Sequence, residues 1–130
     1  MSAPNIVNVA TITAKTFYDA LADTNLTSLV LNAASSGKVI KINSLTAANV
    51  DGTNATPITV SYHPSTTTAV GSTVSSTGYA IASTITVPAD ATLVVISKDT
   101  AIYMEESSVL AVQAITANDI VFVVSYEEIS

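Results

Sequence analysis

Apolar and polar residues alternate with a period of two in three separate stretches of this chain, and nowhere is the 3.6-residue period of an amphipathic helix sustained. Ile58, Val60 and Tyr62 alternate with Thr59, Ser61 and His63. Tyr79, Ile81, Ile85 and Val87 lie on one parity, with Ala80, Ala82, Thr84 and Thr86 on the other. Ile120, Phe122, Val124 and Tyr126 alternate with Val121, Val123, Ser125 and Glu127. Each pattern is that of a strand, because successive side chains on extended backbone point to opposite sides. In the last stretch Val121 and Val123 make the second face apolar too, so that face needs a cover from a second sheet or from a neighbouring molecule.

Weaker strand signals run over Ile6 to Thr13, Thr27 to Asn32, Lys38 to Asn49, Thr92 to Ser97, Ala101 to Met104 and Val109 to Ile115, separated by turn-forming residues. Thr16 to Ala22 is ambiguous: Thr16 and Asp19 have capping-box spacing, but the β context favours a strand or irregular backbone. Short strands broken by turns every 8–12 residues predict an all-β fold, an antiparallel sandwich or jelly-roll-like single domain over residues 1–130. Its expected core contains Ile42, Val60, Ile81, Ile85, Val87, Val95, Val112, Phe122 and Val124. The stretch His63 to Gly78 is rich in Ser and Thr, carries no formal charge and exceeds an ordinary hairpin loop. With only Val70 and Val74 to bury, it is expected to be mobile in the free protein and to order against an adjacent subunit.

Charge and composition remove several function classes. Of 130 residues, 4 are Lys, none is Arg and 10 are acidic, giving a net charge of −6. That balance repels phosphate backbones and anionic lipid heads, so neither nucleic acid nor membrane is an expected partner. The longest aliphatic or aromatic run, Ile120 to Val124, is too short for a spanning helix. No basic residue precedes Lys15 and no compact apolar segment follows, so no secretory leader is expected. Absence of cysteine excludes disulfides, thiolate metal sites and a thiol nucleophile. With no Trp or Arg to anchor a partner, the five tyrosines, Tyr18, Tyr62, Tyr79, Tyr103 and Tyr126, are the remaining candidates.

The chemistry-bearing residues do not converge. His63 is the single imidazole, in a Tyr-His-Pro context at a strand end, and no nucleophile elbow, phosphate loop or dinucleotide fingerprint occurs. Glu105-Glu106 and Glu127-Glu128 are adjacent pairs, and neighbours on a strand point to opposite faces. They are expected to be solvated charges that discourage edge pairing. Asn49-Val50-Asp51-Gly52 has the beginning of a calcium loop without its later acidic ligands. No catalytic residue, cofactor or metal is therefore expected. Tyr62, Val70, Val74, Val121, Val123 and Tyr126 are the candidate interface residues.

Several phrases carry a likeness: Met1-Ser2-Ala3-Pro4-Asn5-Ile6-Val7-Asn8-Val9, Asn32-Ala33-Ala34-Ser35-Ser36-Gly37-Lys38, Ala48-Asn49-Val50-Asp51-Gly52-Thr53-Asn54 and Val87-Pro88-Ala89-Asp90-Ala91-Thr92-Leu93, with the ending Ser125-Tyr126-Glu127-Glu128-Ile129-Ser130. Together they resemble small virion structural proteins of tailed phages, those of marine cyanophages above all. The likeness spans nearly the whole chain in turn and strand segments, while His63 to Gly78 is longer than it leads one to expect. It implies a non-enzymatic virion component: a capsid decoration or cement protein, forming a homo-oligomer and contacting other virion proteins, the major capsid protein first. A neck, tail or fibre component is the alternative, and a carbohydrate-binding β module is a third class that the scarcity of aromatics disfavours.

Overall fold

The computed structural model describes residues 9–130, which form nine strands: β1 (Ile12–Ala20), β2 (Thr27–Asn32), β3 (Val39–Asn49), β4 (Thr56–Pro64), β5 (Tyr79–Val87), β6 (Thr92–Ile96), β7 (Ile102–Met104), β8 (Ser108–Ala114) and β9 (Ile120–Ile129). One sheet has the order β1-β9-β3-β6, with β7 also on β3; the other has the order β2-β8-β4-β5. All the pairings are antiparallel. β6 pairs with Leu45 to Ala48 and β7 with Ile40 to Ile42, so the two are halves of one strand, broken by a 3₁₀ turn at Lys98–Thr100. Counted that way, the first strand pairs with the last, the second with the second-last, and so on inward to the β4–β5 hairpin. That nested order is the jelly roll.

The sheets meet face to face over a core that includes Leu29, Ile40, Ile42, Leu45, Ile58, Val60, Leu110 and Phe122, each at most 1% exposed. Four of these are β-branched, as suits a pleated, buried surface. Two buried asparagines tie sheet to sheet at the turns. Asn49, at the end of β3, donates to the Val87 carbonyl of β5 at 3.0 Å and to Asn54 O at 2.9 Å, and its own side-chain oxygen accepts from Asp51 N–H. Asn32, at the end of β2, donates to Lys38 O and Met104 O and accepts from the Ser36 hydroxyl. These bonds satisfy polar groups that would otherwise be costly to bury.

The all-β expectation holds, with corrections in detail. The strand expected over Ile6 to Thr13 lies partly outside the described residues; within them, β1 begins at Ile12 and takes in most of the ambiguous Thr16 to Ala22 segment. Ile42, Val60, Val87, Val112, Phe122 and Val124 are fully buried. Ile85 is 42% exposed, while Ile81 and Val95 are half-buried. Both strands involved are sheet edges with bulges. β5 slips register twice against β4 and carries Thr84 at φ 52°, and Val95 is the extra residue where β6 slips against β3. Each bulge rotates the following side chains and destroys strict alternation.

The stretch 65–78 departs most from expectation. It folds back over the outer side of the β2-β8-β4-β5 sheet. Ser28 N–H donates to Ser72 O, Gly71 N–H to Ser28 O and Val74 N–H to Leu26 O, at 2.9, 2.9 and 2.7 Å. Val74 packs against Val109 and Ala111, beside Leu26 and Leu31. The partner that orders this loop is thus the chain's own sheet.

Candidate functional site

The two outer faces of the sandwich differ, and the difference locates the candidate site. On the β2-β8-β4-β5 side, β2 and β8 are buried along nearly their whole length because loop 65–78 lies over them. The outward face of the β1-β9-β3-β6 sheet has no such cover among the described residues.

Register defines that bare face. Tyr18 pairs with Val123, Val123 with Thr46, and Thr46 with Val94, so these four form a transverse row across all four strands. Tyr18 is 71% exposed, Val94 58% and Val123 38%. The row beside it is Ala20, Val121, Ala48 and Thr92, small and uncharged throughout. On the other side lie Thr16, Ser125 and Ser44, then Ala14, Glu127, Lys41 and Tyr103. The charges in these four rows, Lys41 and Glu127, are cross-strand neighbours. Seven residues of β9 at about 3.3 Å each, by four strands at about 4.8 Å, give a footprint of roughly 440 Å². An apolar, nearly uncharged sheet face of that size is an interaction surface in character.

Of the candidate interface residues, Val121 and Val123 lie on this face. Val70 is exposed on loop 65–78, on the opposite side of the molecule. Val74 is buried by its own chain at 4% exposure and is therefore no partner contact. Tyr62 and Tyr126 are half-buried, inward-facing and packed on the core, so they too are corrected to internal residues. Sequence reasoning missed Val94, and it named Tyr18 and Tyr103 among the five anchor tyrosines without carrying them into the interface candidates. The signal was present for Tyr18, since Ile12, Ala14, Thr16, Tyr18 and Ala20 form one uncharged parity of β1.

His63 has the strongest chemical potential, and its geometry closes it off. Its Nδ1 lies 3.1 Å from the Ser76 carbonyl, which can only accept, so Nδ1 carries the proton and Nε2 accepts from the Ser61 hydroxyl at 2.8 Å. A serine beside a histidine invites a nucleophile–base reading. Here both are buried, at 6% and 2% exposure, and Gly78 sits so close that an added Cβ would lie 2.3 Å from the ring. No carboxylate orients the ring. Burial pushes its pKa below the ordinary value, and the Ser76 backbone bond opposes this only in part. His63 pins loop 65–78 to β4.

Several carboxylates are also committed to bonds within the chain. Glu128 faces inward and bonds Lys15 Nζ at 2.9 Å and Lys38 Nζ at 3.3 Å, while Glu127 faces outward beside Lys41. Burial acts to raise the Glu128 pKa, but the two lysines outweigh it and hold the carboxyl below its ordinary value. Glu106 accepts from Gly37 N–H. Asp51 accepts from Thr53 N–H and the Asn54 side chain, which lowers its pKa and uses the oxygens a cation would need. Among the described residues no three His, Asp or Glu side chains group as a metal site. Comparison with known proteins finds no matching family model, no similar curated protein and no similar solved structure.

Proposed function

We propose that this chain is a non-enzymatic virion structural protein of a tailed phage, decorating or cementing the head shell through the outward face of its β1-β9-β3-β6 sheet. The observation that carries the reading is the asymmetry of the sandwich. One face is covered over β2 and β8 by the chain's own loop, whereas the other presents Tyr18, Val123, Val94 and Val121 with a single oppositely charged pair. The resemblance to small virion proteins supports the same role, and the buried, internally bonded state of His63 accords with a protein that works by docking. A footprint near 440 Å² per copy falls at the weak end for an isolated pair, so many copies held on one lattice suit it better.

The test is rebinding to heads that lack the protein. Val123→Lys puts a charge in the centre of the face and should abolish binding while leaving the melting curve unchanged, whereas Val70→Lys should bind normally. Equal binding by both variants, or binding only to necks or tails, would overturn the assignment to the head shell.

A further inference from the structure

The sandwich has four sheet edges, and three are blunted by a partial cover, bulges or a break. Residues 71–74 run beside the start of β2 and take up both backbone groups of Ser28. β5 is bulged twice, and β6 is bulged and then broken by the turn before β7. Bulges, breaks and covers are the usual means of blunting an edge. β1 has none of these. Its nine residues keep an unbroken register with β9, contain no Pro or Gly and, among the described residues, pair with no other strand.

The free backbone groups can be assigned. Thr11 and Ser130 exchange both backbone bonds, at 2.9 Å each, so odd-numbered residues of β1 face β9. The N–H and C=O groups of Ile12, Ala14, Thr16, Tyr18 and Ala20 therefore point away from the sheet. The side chains of the other parity include Lys15 and Asp19, and a charge on an edge normally repels an incoming strand. Lys15 and Asp19, however, stand symmetrically about Phe17.

We propose that β1 pairs antiparallel with β1 of a second copy, about a two-fold axis through Phe17. In that register Lys15 faces Asp19 of the other copy, Thr16 faces its Tyr18, Ala14 faces its Ala20, and the two Phe17 rings meet at the closely spaced centre. The outward-pointing groups of residues 14, 16, 18 and 20 fall opposite one another, supplying about eight backbone bonds between copies. Charge selects this register. Centring on Lys15 or Asp19 sets like charges together, and centring on Thr16 sets Lys15 against Phe17. Among the described residues Asp19 has no cation partner in its own copy: burial and the nearby Asp23 hold its carboxyl above the ordinary range, and Lys15 of the other copy, which also holds its own Glu128, supplies the counter-charge. The pairing is isologous and closed, and it joins two bare sheet faces into one eight strands wide.

This inference specifies the contact between copies that a decorating role includes, yet it rests on the β1 edge and is tested without particles. Sedimentation of the full chain up to roughly 100 μM should show a dimer, a concentration range in which weak interfaces populate. Thr16→Pro removes an N–H that β9 does not use, and Asp19→Lys sets Lys against Lys. Both should sediment as monomers and melt with the wild type at concentrations low enough that the wild type is itself monomeric. Because the chain has no cysteine, Phe17→Cys should oxidise to a covalent dimer and Ile12→Cys should not. If Thr16→Pro fails to fold, Asp19→Lys decides. A monomeric wild type, or a dimer that both Thr16→Pro and Asp19→Lys leave intact, overturns the proposal. Failure of particle binding by a protein that still dimerises through β1 would instead count against the virion reading.

Discussion

Truncating Val74 to Ala tests whether loop 65–78 is part of the folded domain. Val74 is 4% exposed and seated on Val109 and Ala111, whereas Val70, four residues earlier in the same loop, is 45% exposed. The substitution removes two buried methyl groups, at about 0.8 kcal/mol each, so the loss is about 1.5 kcal/mol. The site lies at the margin of the domain and can partly collapse, which argues against a further cavity penalty. Val70→Ala should fall within about 0.5 kcal/mol of wild type. With a urea m-value of about 1–3 kcal/mol/M, the Val74→Ala midpoint should drop by about 0.5–1.5 M at unchanged m. Hydrogen exchange supplies the local readout, since the amides of Ser28, Gly71 and Val74 donate across the loop–sheet junction and should be protected together. Unprotected amides in the wild type, with equal midpoints for the two variants, would show that the loop does not dock.

Phe122, at 0% exposure in the centre of the core, should cost about 3–5 kcal/mol when truncated to Ala, read by urea denaturation. Gly78→Ala drives a methyl group into the His63 ring and should destabilise the loop by about 1–3 kcal/mol; in a His63→Ala background that penalty should largely vanish. Because the folded His63 pKa lies below the ordinary 6.5, the opened state binds more protons in that interval. Loop docking is therefore strongest above the ordinary value and weakens as pH falls below it, so the Val74 amide should exchange faster relative to opening-independent controls on going from about pH 7.5 to about pH 5.5. Glu128 has the same sign at lower pH: its pairing with Lys15 and Lys38 holds above the ordinary carboxylate value of 4.5 and is lost on further acidification.

Strand positions were legible in the sequence because each depends on local alternation and turn residues. Thr27–Asn32 and Tyr79–Val87 fall where the pattern puts them, and Phe122 and Val124 point inward as their parity requires. Burial at Ile85 was misread because alternation reports a face only while the backbone stays regular, and β5 has two bulges. The role of Val74 was hidden for another reason. A loop's own composition shows how little it can bury within itself, but the apolar surface awaiting it, Val109 and Ala111, lies on a strand more than thirty residues away. Val121 and Val123 were legible as an uncovered face, while the full extent of that face depended on cross-strand register that no single segment encodes.

The pairing of β1 with β9 has a consequence for how the chain acquires its structure. The first strand finds its partner only in the last ten-residue strand, and β3 depends on that strand as well. The β1-β9-β3-β6 sheet therefore cannot close until β9 has been synthesised, and a ribosome-bound chain that has not yet released β9 holds β1 with both edges open. Loop-closure entropy on that scale is compensated only after distant strands meet, which places refolding in the slow, millisecond-to-second class of β topologies. Removing β9 takes away the centre of the sheet, so such a truncation should leave a collapsed, aggregation-prone chain in place of a smaller folded domain.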